Sequence, residues 1–219
     1  MLPRKERLRL LALCEPVELN LQDVLCEPQQ PATHAYFPTD SFISLIAHVD
    51  SRPALEVGMV GAEGMFGAHL ALGVPQSPLR AVVQGAGTAW RIKALLFRKE
   101  LAASQPLRTS MDRYIYVLMQ QLAAAAPCLR FHEIGPRLAR WLLMSQDRAH
   151  ADTFRVTHEF LAYMLGVRRA GVSIAAGGLQ ARGLITYVRG QITVLDRSGL
   201  EGAACSCYAA DRRIYAELL

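Results

Sequence analysis

Hydrophobic and polar positions divide the chain into parts with different periods. Between about Leu19 and Ile92, short apolar runs of the β-strand type alternate with turn residues. These runs occupy residues 24–28, 34–50, 54–67 and 80–92. Their spacing, and the Gly, Pro and Asp residues between them, predict an antiparallel sandwich or roll of several strands. We assign this β-roll to residues 1–106.

A helical pattern replaces the strand pattern after the β-roll. Apolar side chains recur with helical spacing from Leu107 to Ala126, and the pattern ends near Pro127. The apolar stripe is wider than one contact face requires, so we expect residues 107–126 to cover the β-roll and also to join a second copy of the chain. The predicted dimer contacts are Met111, Tyr114, Leu118 and Leu122. A helix buried in its own monomer is the alternative.

Residues 127–219 form the third predicted part. A helix over Pro136–Arg148 begins with proline, whose missing N–H is harmless in the first turn. Thr157 then has the position of a helix N-cap, and a helix is predicted from about His158 to Leu165. Gly166 supplies the turn before another helix that starts at Arg168. Two short helices joined by such a corner predict a helix-turn-helix.

The residues after the corner are those that read DNA in such motifs. Arg168 and Arg169 stand at the start of the second helix, where side chains meet base edges in the major groove, and Ser173 is a further polar group there. Two alternating runs around Arg189-Gly190 predict a hairpin, or wing. We expect Thr157, His158 and Arg189 to contact phosphates. Residues 155–197 contain six arginines against two acids, which favours a polyanion such as double-stranded DNA, although a solvated basic face has the same composition.

Composition and cysteine usage narrow the class of protein. The 219 residues are 52% hydrophobic, yet no apolar run reaches transmembrane length, which predicts a soluble, cytoplasmic chain without a membrane partner. Five scattered cysteines fit unpaired thiols better than a disulfide framework. Cys205 and Cys207 are close-spaced but complete no C-x2-C zinc pattern. We therefore expect no metal or other cofactor, with redox or cluster sensing as the alternative for these thiols.

Four stretches together resemble the Crp/Fnr superfamily of bacterial transcription regulators. They are EVGMVGAEGMFG (56–67), RLARWLLMSQDR (137–148), FLAYMLGVRRAGV (160–172) and GLITYVRGQITVLDRSGLE (183–201). The resemblance covers roughly residues 19–208 and implies an α+β chain. Its parts would be an N-terminal cyclic-nucleotide-binding-type β-roll, a long helix that forms a parallel homodimer, and a C-terminal winged helix-turn-helix that binds a two-fold symmetric operator.

The chain departs from the family's nucleotide-binding pattern at two positions. In our register Met65 stands where the family has a ribose-binding Glu, and the family's Arg-Ser pair falls on Leu79-Arg80. This displaces Arg80 by one residue, which turns a strand side chain to the opposite face. The resemblance therefore implies that cyclic AMP is not bound in the usual mode. Gly64, Met65, Gly67 and Arg80 remain the candidate positions for another, unidentified effector.

Other family features are also missing from the pattern. Cys14, Cys26 and Cys128 do not reproduce the cysteine set of iron–sulfur members, and no histidine has local support as a haem ligand. In the recognition helix, Arg169 matches a position that commonly reads guanine. Ala170 and Ile174 replace the common Glu and Arg base readers, so the operator should differ from the family consensus.

We expect a transcription regulator rather than an enzyme. Two alternatives remain open: a small-molecule or nucleotide sensor whose winged domain contacts a protein, and a metal-dependent jelly-roll enzyme. The enzyme would need ligands from His34, His48, Glu56 and His69, which lack the close His-x-His spacing of such sites. Contacts with RNA polymerase would decide between activation and repression, and no residue pattern encodes them.

Overall fold

The computed structural model describes residues 2–48 and 54–219. Val49 and Asp50, the last residues of the predicted run 34–50, therefore lie outside the described residues. Contacts divide the described chain into two compact units. The first contains the described residues of Met1–Ala47, Gly58–Gln120 and Ile214–Leu219, and the second those of His48–Val57 and Gln121–Arg213.

The first unit is built on two antiparallel sheets. Its elements, some shared with the second unit at their ends, are α1 (Arg4–Leu11), β1 (Glu15–Leu19), β2 (Val24–Cys26), β3 (His34–Pro38), β4 (Phe42–Ala47), β5 (Leu55–Val60), a 3-10 turn (Ala68–Leu72), β6 (Arg80–Gly85), β7 (Gly87–Lys93), α2 (Ala94–Ala103) and α3 (Gln105–Phe131). One sheet has the strand order β1-β7-β3 and the other β2-β6-β4-β5. The predicted α+β fold with an N-terminal antiparallel roll is confirmed.

Alternation of buried side chains explains why the strands form a roll. Val83 in β6 and Ile92 in β7 are almost fully buried, while their neighbours along each strand are more exposed. The same core takes in Phe97 of α2 and Tyr114 of α3. Helices α1 and α2 have no counterpart in the sequence prediction.

Helix α3 continues past the predicted stop at Pro127. It runs without interruption from Gln105 to Phe131, so the predicted end near Pro127 is wrong. Proline removes one backbone hydrogen bond, to the carbonyl of Ala123, and its ring crowds that carbonyl. Both residues are exposed, so water can solvate the freed carbonyl. The alanines before Pro127 have the highest helix propensity and offset part of this cost.

The second unit is mainly helical with one small sheet. Its elements are α4 (Ile134–Ala149), β8 (Thr153–Arg155), α5 (His158–Leu165), α6 (Arg169–Ala181), β9 (Ile185–Val188), β10 (Gln191–Val194), α7 (Arg197–Ala203) and α8 (Cys207–Leu218), together with the C-terminal part of α3. The sheet has the order β8-β10-β9. The predicted wing is therefore confirmed as β9 and β10, with β8 as a third strand that the sequence pattern did not indicate.

Helix α4 forms the centre of the second unit. It packs against α5, α6 and α7, and ten of its sixteen residues are buried. The side chains of Leu138, Leu142 and Leu143 are buried and lie on several sides of α4, between it and its neighbours. In the described part of the chain, no helix combines the length and hydropathy that a membrane span needs.

Candidate nucleic-acid interface

Helix α5 is fixed at both ends by the residues that the sequence indicated. The Thr157 hydroxyl accepts a hydrogen bond from the Phe160 amide at 3.1 Å, which is the predicted N-cap. Gly166 ends the helix in the left-handed conformation, with φ of 63°. Any side chain there would be strained, and a Cβ would lie 2.8 Å from Leu55 Cδ1. The corner of the helix-turn-helix thus forms as predicted.

A buried arginine supports the same corner from α4. The Arg137 guanidinium donates to the carbonyl of Leu165, the last residue of α5. Arg137 is only 8% exposed, and this burial lowers the pKa of its guanidinium. A cation at the C-terminal end of a helix also interacts favourably with the helix dipole. Local patterns in the sequence do not reveal this role, because the contact joins residues 28 positions apart.

Helix α6 presents an exposed face that begins with arginine. Arg168 is the N-cap residue and Arg169 the first helical residue, and both are exposed. Val172, Ala176 and Leu179 are buried on the opposite side. Ala170, Ser173, Ile174 and Gly177 follow the arginines along the exposed face, because residues three and four apart are neighbours on a helix.

His158 joins α6 to the wing. Its Nδ1 lies 2.9 Å from the Ser173 hydroxyl, which in turn donates to the Arg169 carbonyl at 3.2 Å. The imidazole also stacks on Tyr187 of β9, with ring centroids 4.1 Å apart. Burial, and then the charge of Arg169, lower the pKa of His158. His158 and Ser173, both predicted DNA contacts, are therefore engaged with each other.

The wing ends in a tight two-residue turn. Arg189 and Gly190 both have positive φ, 51° and 78°, as a type I′ hairpin turn requires. Arg189 is exposed at the tip of this hairpin. A hydrogen bond of 2.9 Å from the Tyr187 amide to Gln180 Oε1 ties β9 to α6. Side chains of α5, α6 and β9 thus hold together the surface that is predicted to contact DNA.

The predicted effector residues lie in the first unit in two different settings. Gly64 and Met65 adjoin the Tyr114 hydroxyl, which accepts from the Met65 amide and donates to its carbonyl, each at 3.0 Å. A side chain at Gly64 would collide with Tyr114. Both residues line a cavity of about 360 Å³ whose walls also include Leu10, Trp90 and Met111.

Gly67 and Arg80 are not among the residues that line this cavity. Gly67 has a positive φ of 102° and begins the 3-10 turn. Arg80 pairs with Glu27, with Nε 3.1 Å from the carboxylate. The structure therefore does not bring the four predicted effector positions into one site.

The four predicted dimer contacts on α3 also separate. Tyr114 is only 2% exposed within the single chain, and Met111 and Leu118 pack against the same core. Tyr114 is therefore covered by the β-roll of its own chain, and its contact with a partner chain stays a prediction. Leu122 is 47% exposed. Met119, which the sequence analysis did not select, is 61% exposed.

Sequence reasoning also missed a cluster of metal-ligating side chains in the second unit. Cys128, His132, Cys205 and Cys207 place their ligand atoms within 4.8 Å of one another. The available indication was the spacing of Cys128 and His132, four residues apart on one helix face, beside the pair Cys205-x-Cys207. Only the tertiary fold shows that these two pairs meet.

Comparison with known proteins identifies the DNA-binding part. Residues 136–203 match the family model of the Crp-like helix-turn-helix domain. This segment contains α5, α6 and the hairpin described above. No curated protein sequence matches the chain significantly.

Solved structures show the same fold over most of the chain. FixK2 from Bradyrhizobium japonicum is similar with a TM-score of 0.73 and 15% identity, covering 88% of this chain and 98% of that one. The c-di-GMP-responsive global regulator CLP from Xanthomonas campestris has a TM-score of 0.70 and 19% identity, covering 89% and 100%. A Crp/Fnr-family regulator from Thermus thermophilus has a TM-score of 0.67 and 23% identity, covering 87% and 98%.

The family match and the shared fold agree with the features that the structure shows. The helix-turn-helix carries its caps, its exposed arginines and its wing, and an antiparallel roll and a long helix precede it. Residues 136–203 are therefore a Crp-like helix-turn-helix domain, and the chain as a whole has the fold of the Crp/Fnr-family regulator structures to which it is similar.

Proposed function

We propose that the chain binds a two-fold symmetric operator as a homodimer, with Arg168 and Arg169 in the major groove. The observation that carries this proposal is the exposed N-terminal end of α6, where both arginines stand free of acidic partners among the described contacts. A recognition helix inserts this end into the groove, and arginine is the commonest bidentate reader of guanine.

The remaining predicted contacts divide into two roles. Arg189 at the wing tip and Thr157 at the start of α5 are exposed and would meet phosphates. His158 is half-buried, and its Nε2 is buried without a hydrogen-bond partner. We therefore assign His158 and Ser173 to positioning α6 against the wing, and not to direct contact with bases.

The dimer would form along the exposed stripe of α3. Met119, Leu122, Ala126 and Leu129 are spaced by three, four and three residues, which is the spacing of a coiled-coil seam. Met119, Leu122 and Leu129 are large hydrophobic side chains that are 61%, 47% and 37% exposed. We call these four residues the α3 stripe. Two copies of α6 would then meet half-sites about 34 Å apart.

The first unit does not fit cyclic AMP in the usual mode. Met65 is buried in the core, and Arg80 is paired with Glu27. A bound cyclic phosphate needs a cation and donors that are free to face it. The mostly apolar cavity beside Gly64 and Met65 suits a different effector, of low polarity.

A selection of duplexes from a randomised pool tests the DNA-binding proposal. The ligand-free protein should enrich a two-fold symmetric motif. Arg169→Ala should cost about 1 to 3 kcal/mol and relax the preference at one base pair in each half-site, whereas Arg189→Ala should weaken all sequences alike and flatten the salt dependence.

If Arg169→Ala and Arg189→Ala each weakened binding to all duplex sequences by the same factor, the assigned roles of Arg169 and Arg189 would be contradicted. If no duplex is enriched, with or without cell extract, the result would favour the alternative in which the winged domain contacts a protein.

The jelly-roll enzyme has no support from ligand geometry. Within residues 2–48 and 54–219, the only converging group of three or more metal-ligating side chains is the group around Cys128.

A further inference from the structure

Four ligand-type side chains from distant parts of the sequence converge in the second unit. Cys128 lies in the last turn of α3, and His132 is the first residue after that helix. Cys205 lies in the turn between α7 and α8, and Cys207 is the first residue of α8. Their ligand atoms all lie within 4.8 Å of one another. We call these residues the Cys3His cluster.

The distances within the cluster fit a single tetrahedral ion. Cys128 Sγ and Cys205 Sγ are 3.7 Å apart, and Cys207 Sγ and His132 Nδ1 are 3.6 Å apart. Zn–S bonds of about 2.3 Å and Zn–N bonds of about 2.0–2.1 Å give tetrahedral edges of roughly 3.8 Å between sulfurs and roughly 3.6 Å between sulfur and nitrogen. The two measured pairs therefore match opposite edges of one tetrahedron.

The backbone holds the ligands in place before an ion binds. The Cys205 amide donates to the Pro136 carbonyl at 3.2 Å, which fixes the turn before α8 against the start of α4. The His132 amide donates to the Cys128 carbonyl at 3.2 Å, which keeps that pair helical. Cys128 and Cys205 are buried, while His132 and Cys207 are half-exposed and leave a route for an ion to enter.

A neighbouring cation compensates the charge of the thiolates. Arg140 Nη1 lies 3.9 Å from Cys128 Sγ, and Asp211 holds the same guanidinium through bonds of 2.6 and 3.2 Å. Outer partners of this kind tune the affinity of metal sites.

We propose that Cys128, His132, Cys205 and Cys207 bind one Zn²⁺ ion per chain as a closed structural site. Three thiolates and an imidazole without an open position are the donor set of structural zinc sites. An iron–sulfur cluster places its ligands on different iron atoms and needs a wider separation than this cluster offers. The site would tie the end of α3 to the turn before α8, and it does not depend on the DNA-binding proposal.

Cobalt titration of the reduced, full-length chain under anaerobic conditions tests the site. Co²⁺ should bind once per chain and give the intense visible bands of a tetrahedral ion together with thiolate charge-transfer bands, and Zn²⁺ should displace it. Cys207→Ser should weaken Co²⁺ binding by at least about 100-fold, since even the loss of an outer partner costs 10- to 100-fold. Cys14→Ser, which changes a thiol outside the cluster, should leave binding unchanged.

Two substitutions of His132 separate a ligand from a merely structural residue. His132→Ala should weaken binding, whereas His132→Cys should restore it with stronger charge-transfer bands, because a fourth thiolate replaces the imidazole. Circular dichroism would confirm that each variant is folded. An octahedral cobalt spectrum, unchanged affinity in Cys207→Ser, or uptake of iron only together with sulfide would each overturn the proposal. Failure of the reduced chain to bind Zn²⁺ or Co²⁺ would do the same.

Discussion

At the residue scale, the most unusual feature of the recognition helix is an isoleucine on its exposed face. Ile174 is 77% exposed, although a side chain of this type is usually buried. It stands where the resemblance led us to expect a polar base reader. Among the base edges in the major groove, only thymine offers a methyl group for apolar contact. We therefore expect Ile174 to read a thymine methyl.

Replacing thymine by uracil at single operator positions tests this reading. At one position in each half-site, uracil should weaken binding by about 0.8 kcal/mol, the value of one buried methyl-sized group, or roughly fourfold. Ile174→Ala should bind thymine and uracil duplexes equally. Fluorescence anisotropy measures both affinities, and an equal loss in wild-type and variant proteins would show that Ile174 does not touch the methyl group.

Individual residues also show which contacts a sequence can reveal. Thr157, Gly166 and the Arg189-Gly190 turn were predictable because capping and turn conformations depend on a few neighbouring residues. The contact of Arg137 with Leu165, and the meeting of Cys128 with Cys205, were not predictable. Each depends on how separate helices pack, and no local rule of spacing encodes that packing.

At the scale of single elements, α6 contains two adjacent glycines that packing does not require. A Cβ at Gly177 or Gly178 would meet no atom within 4 Å, and both residues are exposed. Glycines inside a helix either permit close packing with a neighbour or soften the helix. Contacts among the described residues do not explain them, so the two glycines lower the stability of α6 without a compensating contact in that part of the free protein.

Gly178→Ala should raise the free energy of unfolding by about 1 kcal/mol, because alanine has the higher helix propensity. Urea denaturation followed by circular dichroism measures this change. Gly183→Ala is the matched control: Gly183 has a positive φ of 71°, where a Cβ is strained, so this variant should be less stable. A loss of stability in Gly178→Ala would indicate that the glycine avoids a clash that the free protein does not show.

Helix α3 shows the limit of pattern reading for an element. The apolar period predicted that the helix exists. The predicted end at Pro127 was wrong because the cost of an internal proline was weighed without considering that Pro127 is exposed to solvent. The structure also shows a division of the apolar residues between two faces. Tyr114 and Leu118 pack on the β-roll and Met119 does not, a difference that periodicity cannot show when apolar residues surround most of a helix.

At the scale of the whole molecule, the proposed assembly rests on the α3 stripe. Met119→Glu should place a charge in the seam and weaken the homodimer by about 2 kcal/mol or more, the scale of an interface hot spot. Sedimentation analysis should show monomers at concentrations where the wild-type chain is dimeric, and affinity for a two-fold operator should fall more than affinity for one half-site.

Gln120→Glu provides the control for Met119→Glu. It introduces the same side chain at the next, exposed position of α3, which points away from the stripe. This variant should remain dimeric. If both variants dissociate, the cause is added negative charge in general; if neither does, the dimer uses another surface.

The exposed proline of α3 has a consequence for local stability. Because Pro127 lacks an amide hydrogen, the turn that carries Cys128 and His132 begins where one backbone bond is missing. Such a turn can fray at the end of a helix while the rest of the protein stays folded. Zn²⁺ held by Cys128 and His132 would suppress such fraying, so hydrogen exchange at the amides of residues 128–132 would slow when the ion binds.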